Sequence, residues 1–507
     1  MPIICDVFDQ HIGLTNALLT EDEIHVVKAR YHSRRRQIGE IDRLYRVAED
    51  RAQLWEDRIQ LVSLLKRYRL ALSSHKRLPT EILQHIFLYA SAGYDQYLPR
   101  PSNPPWLLCG ICLSWRHIAI STPDLWKSLH FPSHSRLTRA QKLHISLIWL
   151  ARAGRSGFSL TLIDNPDDTS SPANFVKEII APYANKFRYL RLNLTPSDID
   201  ALFSLPVGSL DTLEEFHLVY NTGDKPPPFV PSTKSPILLF SSRAQIRRIR
   251  INLTPYIVPS IFCFPWHNLE SFRCDSSIES SDCHMMLLCC QALGKIHVRV
   301  FGIKSARPPD VEIILPNLVT FAVNLCDEED YDPFFLPLVT PSLRSLLIFQ
   351  YSGRPWSPGM YNALVERSKC DVQELYLGTL DVETPDVLRL FECTPSLTSV
   401  TFSHKTTITP EILQKIGQCD FGVNLTQLFL KGTHELDPIL NMLELREHKF
   451  SCVQGSHGEP FSTSPLKFVE THCRQEEVDL YEVRMWNLRA RGLEISLLQE
   501  PEDYYQL

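Results

Sequence analysis

The sequence predicts a mixed chain, α+β to α/β, made of a long N-terminal helix or coiled coil, a small helical module and a C-terminal solenoid of short β-repeats on a curved parallel sheet. Three observations predict it. Residues 24–69 carry an apolar seam at heptad spacing. Residues 80–120 hold two short amphipathic stretches separated by a Pro-rich break. Beyond about residue 135, runs of the form Leu-x-x-Leu-x-Leu recur at intervals of 23 to 33 residues. The chain has 507 residues, room for roughly three domains at about 150 residues each. Its 44% hydrophobic content is ordinary for a chain with a sizeable core.

Composition narrows the function classes. Lys+Arg is 52 against 58 for Asp+Glu. That balance gives no global case for nucleic acid or an anionic membrane as partner. Glycine is scarce at 19 and proline abundant at 36, which disfavours Gly-rich phosphate loops and favours many short elements ended by Pro. The first residues carry Asp6 and Asp9 and no basic n-region, and no apolar stretch of about 18 residues occurs. Fourteen cysteines are scattered without a framework of close spacings, so reduced thiols in a cytoplasmic or nuclear setting are expected.

Residues 1–20 read as a flexible tail and residues 21–73 as the long helix. Thr20 with Glu23 three residues on forms a capping-box pattern. One seam position takes Ile24, Tyr31, Ile38, Tyr45, Ala52, Ile59 and Lys66, and the other takes Val27, Arg34, Ile41, Ala48, Trp55, Val62 and Arg69. All but Arg34, Lys66 and Arg69 are apolar, which favours a coiled coil or a long helical hairpin, with self-association through residues 24–69 as one outcome. The run Arg34–Arg36 reads as charge on a solvated helix face rather than a nuclear signal.

Residues 75–131 read as a module of short helices. A first helix opens at Thr80-Glu81 just after Pro79, with Ile82, Leu83, Ile86, Phe87 and Ala90 at helical spacing. After the break at 91–105, a second runs from about Trp106 to Ile120, with Leu107, Leu108, Ile111, Cys112, Trp115, Ile118 and Ala119 apolar. Pro123-Asp-Leu-Trp126 begins a short third turn.

From 135 to 500 the repeats begin at Phe187, Leu213, Ile246, Leu269, Leu293, Leu318, Leu343, Val372, Leu397 and Leu425, with weaker echoes at Leu466 and Leu493. Most intervals fall in the 20–29 window of a leucine-rich repeat. One unit cannot bury its apolar strand face alone, so stacked units build a continuous core. Residues 386–391 and 411–416 read as return helices. Exposed strand positions in the middle repeats look basic: Arg188, Arg191, His217, Arg247, Arg248, Arg250, Arg273, Lys295, His297 and Arg299, with Glu214 among them. An acidic or phosphorylated ligand is one reading of that stripe, and a merely solvated face is the other. Later repeats offer Arg344, Gln373, Glu374 and Tyr376.

The run Leu78-Pro-Thr-Glu-Ile-Leu-Gln-His-Ile-Phe87, followed in order by Ile111-Cys-Leu-Ser-Trp115-Arg-His-Ile118 and Pro123-Asp-Leu-Trp126, resembles an F-box. The layout as a whole is similar to the large set of F-box proteins of mushroom-forming fungi, with an N-terminal coiled coil and a leucine-rich tail. One departure is the longer loop at 91–105. The resemblance implies a substrate-recognition subunit of a Skp–cullin–F-box ubiquitin ligase, binding the Skp adaptor, and through it a cullin, by the F-box and a protein substrate by the repeats. Leu78, Pro79, Ile82, Leu83, Ile111, Cys112 and Trp115 are the expected adaptor contacts, and Ile86, Phe87, Ile118 and Trp126 the expected module core. An exposed apolar patch on so small a module fits a partner site on physical grounds. The alternative is a repeat scaffold whose F-box-like module is structural or binds a non-ligase partner.

No enzyme is expected. No nucleophile elbow, Walker loop, dinucleotide fingerprint or HExxH occurs. Cys109-Gly-Ile-Cys112 is a CxxC, but it falls within a predicted amphipathic helix rather than at a helix start, and no second tight ligand pair accompanies it for zinc. Cofactor and metal are expected to be none. No nucleic acid and no membrane partner is expected.

Overall fold

In the computed structural model, the residues described are 9, 11–14, 18–48, 51–92, 100–132, 135–155, 157–163, 174–194, 196–220, 239–253, 264–303, 311–326, 331–350, 356–406, 408–454, 466–473 and 475–499. The long intervals between repeat motifs at 222–237, and most of 453–465, lie outside them. Contacts divide the chain into two units, Met1–Thr161 and Leu162–Leu507. The boundary expected near residue 135 therefore moves about one helix further on.

In the first unit, helix α1 (Glu21–Val47) starts at the expected capping box. The Thr20 hydroxyl accepts from the Glu23 N–H, and the Glu23 carboxylate accepts from the Thr20 N–H at 2.8 Å. Three acidic residues in the first turn complement the helix dipole. The helix does not run unbroken through residue 73; of the two expected arrangements, a coiled coil or a long helical hairpin, it takes the hairpin. It ends at Val47, where Ala48 turns extended, and α2 (Ala52–Ala71) returns antiparallel. Asp42 pairs with Arg58 at 2.7 Å, Tyr45 meets Trp55 at 6.1 Å, and Val27 joins Leu64 and Tyr68 in one cluster. The break resets the heptad phase: the buried row of α2 is Asp57, Leu61, Leu64 and Tyr68, while Trp55 and Ile59 of the expected seam are exposed. The seam thus finds its partner inside the chain, which removes the argument that residues 24–69 need a second copy.

The described part of the expected tail is held rather than flexible. Asp9 is buried, pairs with Arg30 at 3.0 Å and Arg34 at 3.2 Å, and accepts a hydrogen bond from the Tyr68 hydroxyl. Ile12 completes the cluster with Val27, Leu64 and Tyr68. Gly13 makes the turn at φ 72°, and a Cβ there would fall 2.3 Å from the Arg67 carbonyl oxygen.

The helical module follows as α3 (Thr80–Ser91), α4 (Trp106–Ile111), α5 (Leu113–Ile120) and a 3₁₀ turn at Pro123–Trp126. Strand β1 (Ser128–Phe131), helix α6 (Arg139–Arg152) and strand β2 (Phe158–Ile163) come next. Helix α6 belongs with this unit for a visible reason. Trp149 on α6 stacks edge-on against Trp106 at 5.3 Å and Trp126 at 4.9 Å, and the Arg152 guanidinium lies 4.3 Å over the Trp126 ring.

In the second unit the strands are β3 (Phe187–Asn193), β4 (Glu215–Tyr220), β5 (Arg248–Leu253), β6 (Ser271–Glu279), β7 (Lys295–Phe301), β8 (Ile313–Ile314), β9 (Thr320–Leu325), β10 (Leu338–Val339), β11 (Ser345–Gln350), β12 (Glu374–Leu377), β13 (Ser399–Phe402), β14 (Gln427–Thr433), β15 (Phe468–Cys473) and β16 (Glu494–Gln499). All but the small β8–β10 pair form a parallel sheet in sequence order. Every expected repeat, including the weak echoes at Leu466 and Leu493, supplies one strand. After the first, each strand begins one or two residues past the motif's opening apolar residue. From Leu213 to Leu425 those opening residues are buried to 1% exposure or less. Alternation then buries the second and third apolar positions, as Phe216 and Leu218 in β4 or Ile296 and Val298 in β7. The return helices expected at 386–391 and 411–416 occur as Thr384–Cys393 and Pro410–Gly417.

A device absent from the sequence reading ties neighbouring units together. The residue just before the opening apolar position reaches back to a carbonyl of the preceding unit: Thr212 to Phe187, Asn268 to Ala244, Asn317 to Gln291, Ser342 to Pro316, Ser396 to Val372 and Asn424 to Pro395, at 2.6–3.2 Å. Each bond satisfies a carbonyl where the chain turns into the sheet. The polar residue sits before the motif, not after it as a regular leucine-rich repeat leads one to expect.

Candidate protein-interaction surfaces

The helical module exposes much of its apolar surface. On α3, Leu83 (5% exposed) and Phe87 (0%) face inward, one turn apart. Phe87 meets the Trp115 ring at 4.8 Å, and Trp115 also meets His75 at 5.5 Å. Ile82 (45%) and Ile86 (43%), also one turn apart, face outward, as does Tyr89. Two expectations are therefore exchanged. Leu83, expected as a contact, is core, and Ile86, expected in the core, is on the surface. The reason is helical phase: 83 and 87 share one face and 82 and 86 another.

Leu78 and Pro79 are exposed ahead of α3, as a contact role requires. Ile111 is exposed at the end of α4, with Leu107 and Leu113 exposed nearby in sequence. Trp115 is half-buried between Phe87 and His75, so it fastens the module as well as reaching its surface. Ile118 and Trp126 are core as expected; the Trp126 indole donates to the Ala119 carbonyl at 2.8 Å.

The single helix expected over 106–120 is broken at Cys112, whose backbone is extended (φ −159°). Its sulfur accepts the Trp115 N–H at 3.5 Å, as an N-cap does. Cys112 therefore lies at a helix start, contrary to the premise that set the CxxC aside. Its partner Cys109 is buried, and burial pushes that thiol up, away from the thiolate that redox chemistry uses. Among the described residues, no three His, Cys, Asp or Glu gather as a metal site. Elsewhere, Cys274, Cys283 and Cys290 are buried, with thiols pushed up by burial.

The second surface is the polar face of the sheet. In-register pairing sets Arg191, His217, Arg250, Arg273 and His297 side by side on β3 to β7. The row continues as Ala322, Leu347, Tyr376, Thr401, Phe429 and Glu470 on β9 to β15. One face thus changes from basic to apolar and aromatic. In the aromatic half, Tyr376 lies 4.7 Å from Phe349, and Phe429 lies 5.2 Å from Phe468.

In the basic half, Arg250 and Arg273 both bond Asp275, at 2.9 and 2.8 Å. Burial alone would raise the Asp275 carboxyl; hydrogen bonds and charge from Arg273 and then Arg250 hold it below the usual carboxylate value. His217 is 8% exposed, and burial, reinforced by Arg191 and Arg250, pushes it down to about 4. Burial, then Arg273, lowers His297 as well. Around the start of the strands, Arg188, Arg247 and Arg248 pair with Glu214, Glu270 and Glu215. The sequence reading found the arginines; it missed Asp275, although its position two residues after Arg273 places it on the same face.

No known protein-family model matches the chain, and no curated protein matches it. Among the described residues, no helix is long and apolar enough to cross a membrane.

Proposed function

We propose that this chain is the substrate-recognition subunit of a Skp–cullin–F-box ubiquitin ligase, with residues 75–131 as the F-box and the parallel sheet as an irregular leucine-rich-repeat solenoid that holds a protein substrate. The observation that carries the reading is the outward-facing apolar set Leu78, Ile82, Ile86 and Tyr89 on and before α3, in the segment that reads Leu-Pro-x-Glu-Ile-Leu. Apolar side chains at helical spacing on a module with its own packed interior are what a partner helix covers. The chain then does no covalent chemistry. It raises the effective concentration of a substrate lysine beside a ubiquitin carrier.

The test is co-purification of the full chain with the Skp adaptor. The wild type is compared with Ile82→Asp/Ile86→Asp and with Leu78→Ala/Pro79→Ala, and circular dichroism checks that each is folded. A stoichiometric complex lost in both variants supports the reading. A folded wild type that does not capture the adaptor overturns it and leaves a repeat scaffold with a structural helical module.

A further inference from the structure

We infer that the polar face of β3–β7 seats an extended acidic segment of a partner protein, its phosphate or carboxylate oxygens lying along the row Arg191, His217, Arg250, Arg273 and His297. This deepens the proposed function and rests on its reading of the sheet as the recruiting surface.

The first support is the charge balance. Arg250 and Arg273 share the single carboxylate of Asp275, and Arg191 has no ion-pair partner among the described residues. The middle of the row therefore keeps an excess of positive charge, while the pairs Arg188–Glu214, Arg247–Glu270 and Arg248–Glu215 balance at its edge. Three guanidiniums, on β3, β5 and β6, offer forked donors matched to phosphate or carboxylate oxygens.

The second support is independent of charge. The Nε2 atom of buried His217, between Arg191 and Arg250 in the row, has no hydrogen-bond partner among the described residues. A buried polar nitrogen without a partner carries a free-energy cost that a ligand oxygen would remove. His217 and His297 are held neutral there by burial and the neighbouring arginines, so each offers one N–H or one lone pair and adds no charge of its own.

Geometry sets the size of the ligand. Neighbouring strands lie about 4.8 Å apart, so the row spans about 19 Å, the length of about six residues of extended peptide. The basic row ends at Ala322, and the next strands present Leu347, Tyr376 and Phe429. An acidic tract followed by apolar side chains fits that change of character. A nucleic-acid backbone, charged throughout, finds little positive charge over the second half, where Lys431, lying over the Phe429 ring, is already paired with Glu470.

The test uses the full chain and short fluorescent peptides of one backbone whose alternate positions carry phosphoserine, Asp or Ser. A thymidine oligonucleotide of equal length runs beside them, and anisotropy reads the binding. The phosphoserine or Asp peptide binds and the Ser peptide does not; which anionic peptide binds tighter identifies the source of the charge. Arg191→Glu, at an exposed position, weakens anionic binding about tenfold, and Arg247→Gln, outside the row, leaves it within about twofold. Arg191→Gln serves if the charge reversal does not fold. Three results overturn the proposal: no anionic peptide binds, the Ser peptide binds equally well, or both Arg191 variants bind like wild type. Tighter, Arg191-dependent binding of the oligonucleotide would replace the acidic peptide with nucleic acid. Adaptor capture uses residues 75–131, so peptide binding without adaptor capture keeps this site and removes the ligase reading; adaptor capture without peptide binding does the reverse.

Discussion

The parallel sheet and the helical module at 75–131 treat apolar residues in opposite ways. In the sheet, the apolar positions of the repeat are buried almost without remainder, from Leu213 through Leu425. In the module, Leu78, Ile82, Ile86, Leu107, Ile111 and Leu113 stay at least one-third exposed beside the buried Leu83, Phe87, Ile118 and Trp126. A strand of the repeat has one inward face covered by neighbours on both sides. A helix in a small module has one inward face and several outward ones, with too little chain to cover them. Residue type therefore predicts burial where neighbours repeat, and helical phase must be known where they do not.

If the sheet unit owes its integrity to such coverage, its interior substitutions should be the costliest in the molecule. The largest effect of a single substitution is expected at Arg446 on the helix Leu436–Gln454. It is 2% exposed and donates to the carbonyls of Ile416, Gly422, Val423 and Leu425 at 2.9–3.0 Å. Arg446→Leu leaves those carbonyls without this donor and should cost about 3–5 kcal/mol by chemical denaturation, provided the chain still folds. A cost below about 1 kcal/mol would show that water takes over the carbonyls. Leu397→Ala comes next. It empties a fully buried site and should cost about 2–5 kcal/mol.

The polar face of the same sheet yields a pH effect of smaller size. His217 sits at about 4 when folded, facing Arg191, Arg250, Arg273 and Asp275, against about 6.5 when unfolded. The unfolded chain then binds a proton that the folded chain does not as pH falls from 6.5 to 4. Stability is lost across that window and is flat below it for this group, by at most about 3 kcal/mol. His284, His297 and His434, also lowered by burial, act in the same direction. Urea midpoints measured from pH 7.5 to 4 should fall less steeply in His217→Gln than in wild type. Equal slopes would remove His217 as a cause.

The sheet was largely legible because its signal repeats. A missed strand would have broken the spacing, and even the faint Leu466 and Leu493 motifs fell into step. What the pattern did not carry were one-off arrangements. Residues 48–51 contain neither Gly nor Pro, so the sequence left a coiled coil and a helical hairpin as alternatives and nothing placed the break. Asp9, read as tail, is buried by two arginines and Tyr68 from the two helices, a long-range meeting that no local rule reports. The break at Cys112 escaped for a similar reason: apolar residues on both sides of it keep helical spacing. The basic row was visible as composition, but its order across the strands depends on register, which the sheet supplies.

The smallest stability effect is also the sharpest test of the contrast between the two regions. Ile82→Ala/Ile86→Ala trims two exposed side chains and should change stability by less than about 0.5 kcal/mol per site. Leu83→Ala/Phe87→Ala, one residue along the same helix, empties the module interior against Trp115 and should cost several kcal/mol, about 2–5 per site. Thermal melts of the full chain, read at the tryptophans that cluster in this unit, compare the two pairs directly. If both pairs destabilise equally, Ile82 and Ile86 are covered within the chain and cannot be a docking surface. If only the inner pair does, the outer pair is retained for something other than stability, since an exposed isoleucine pair contributes little to folding while inviting association that a solitary module would be better without.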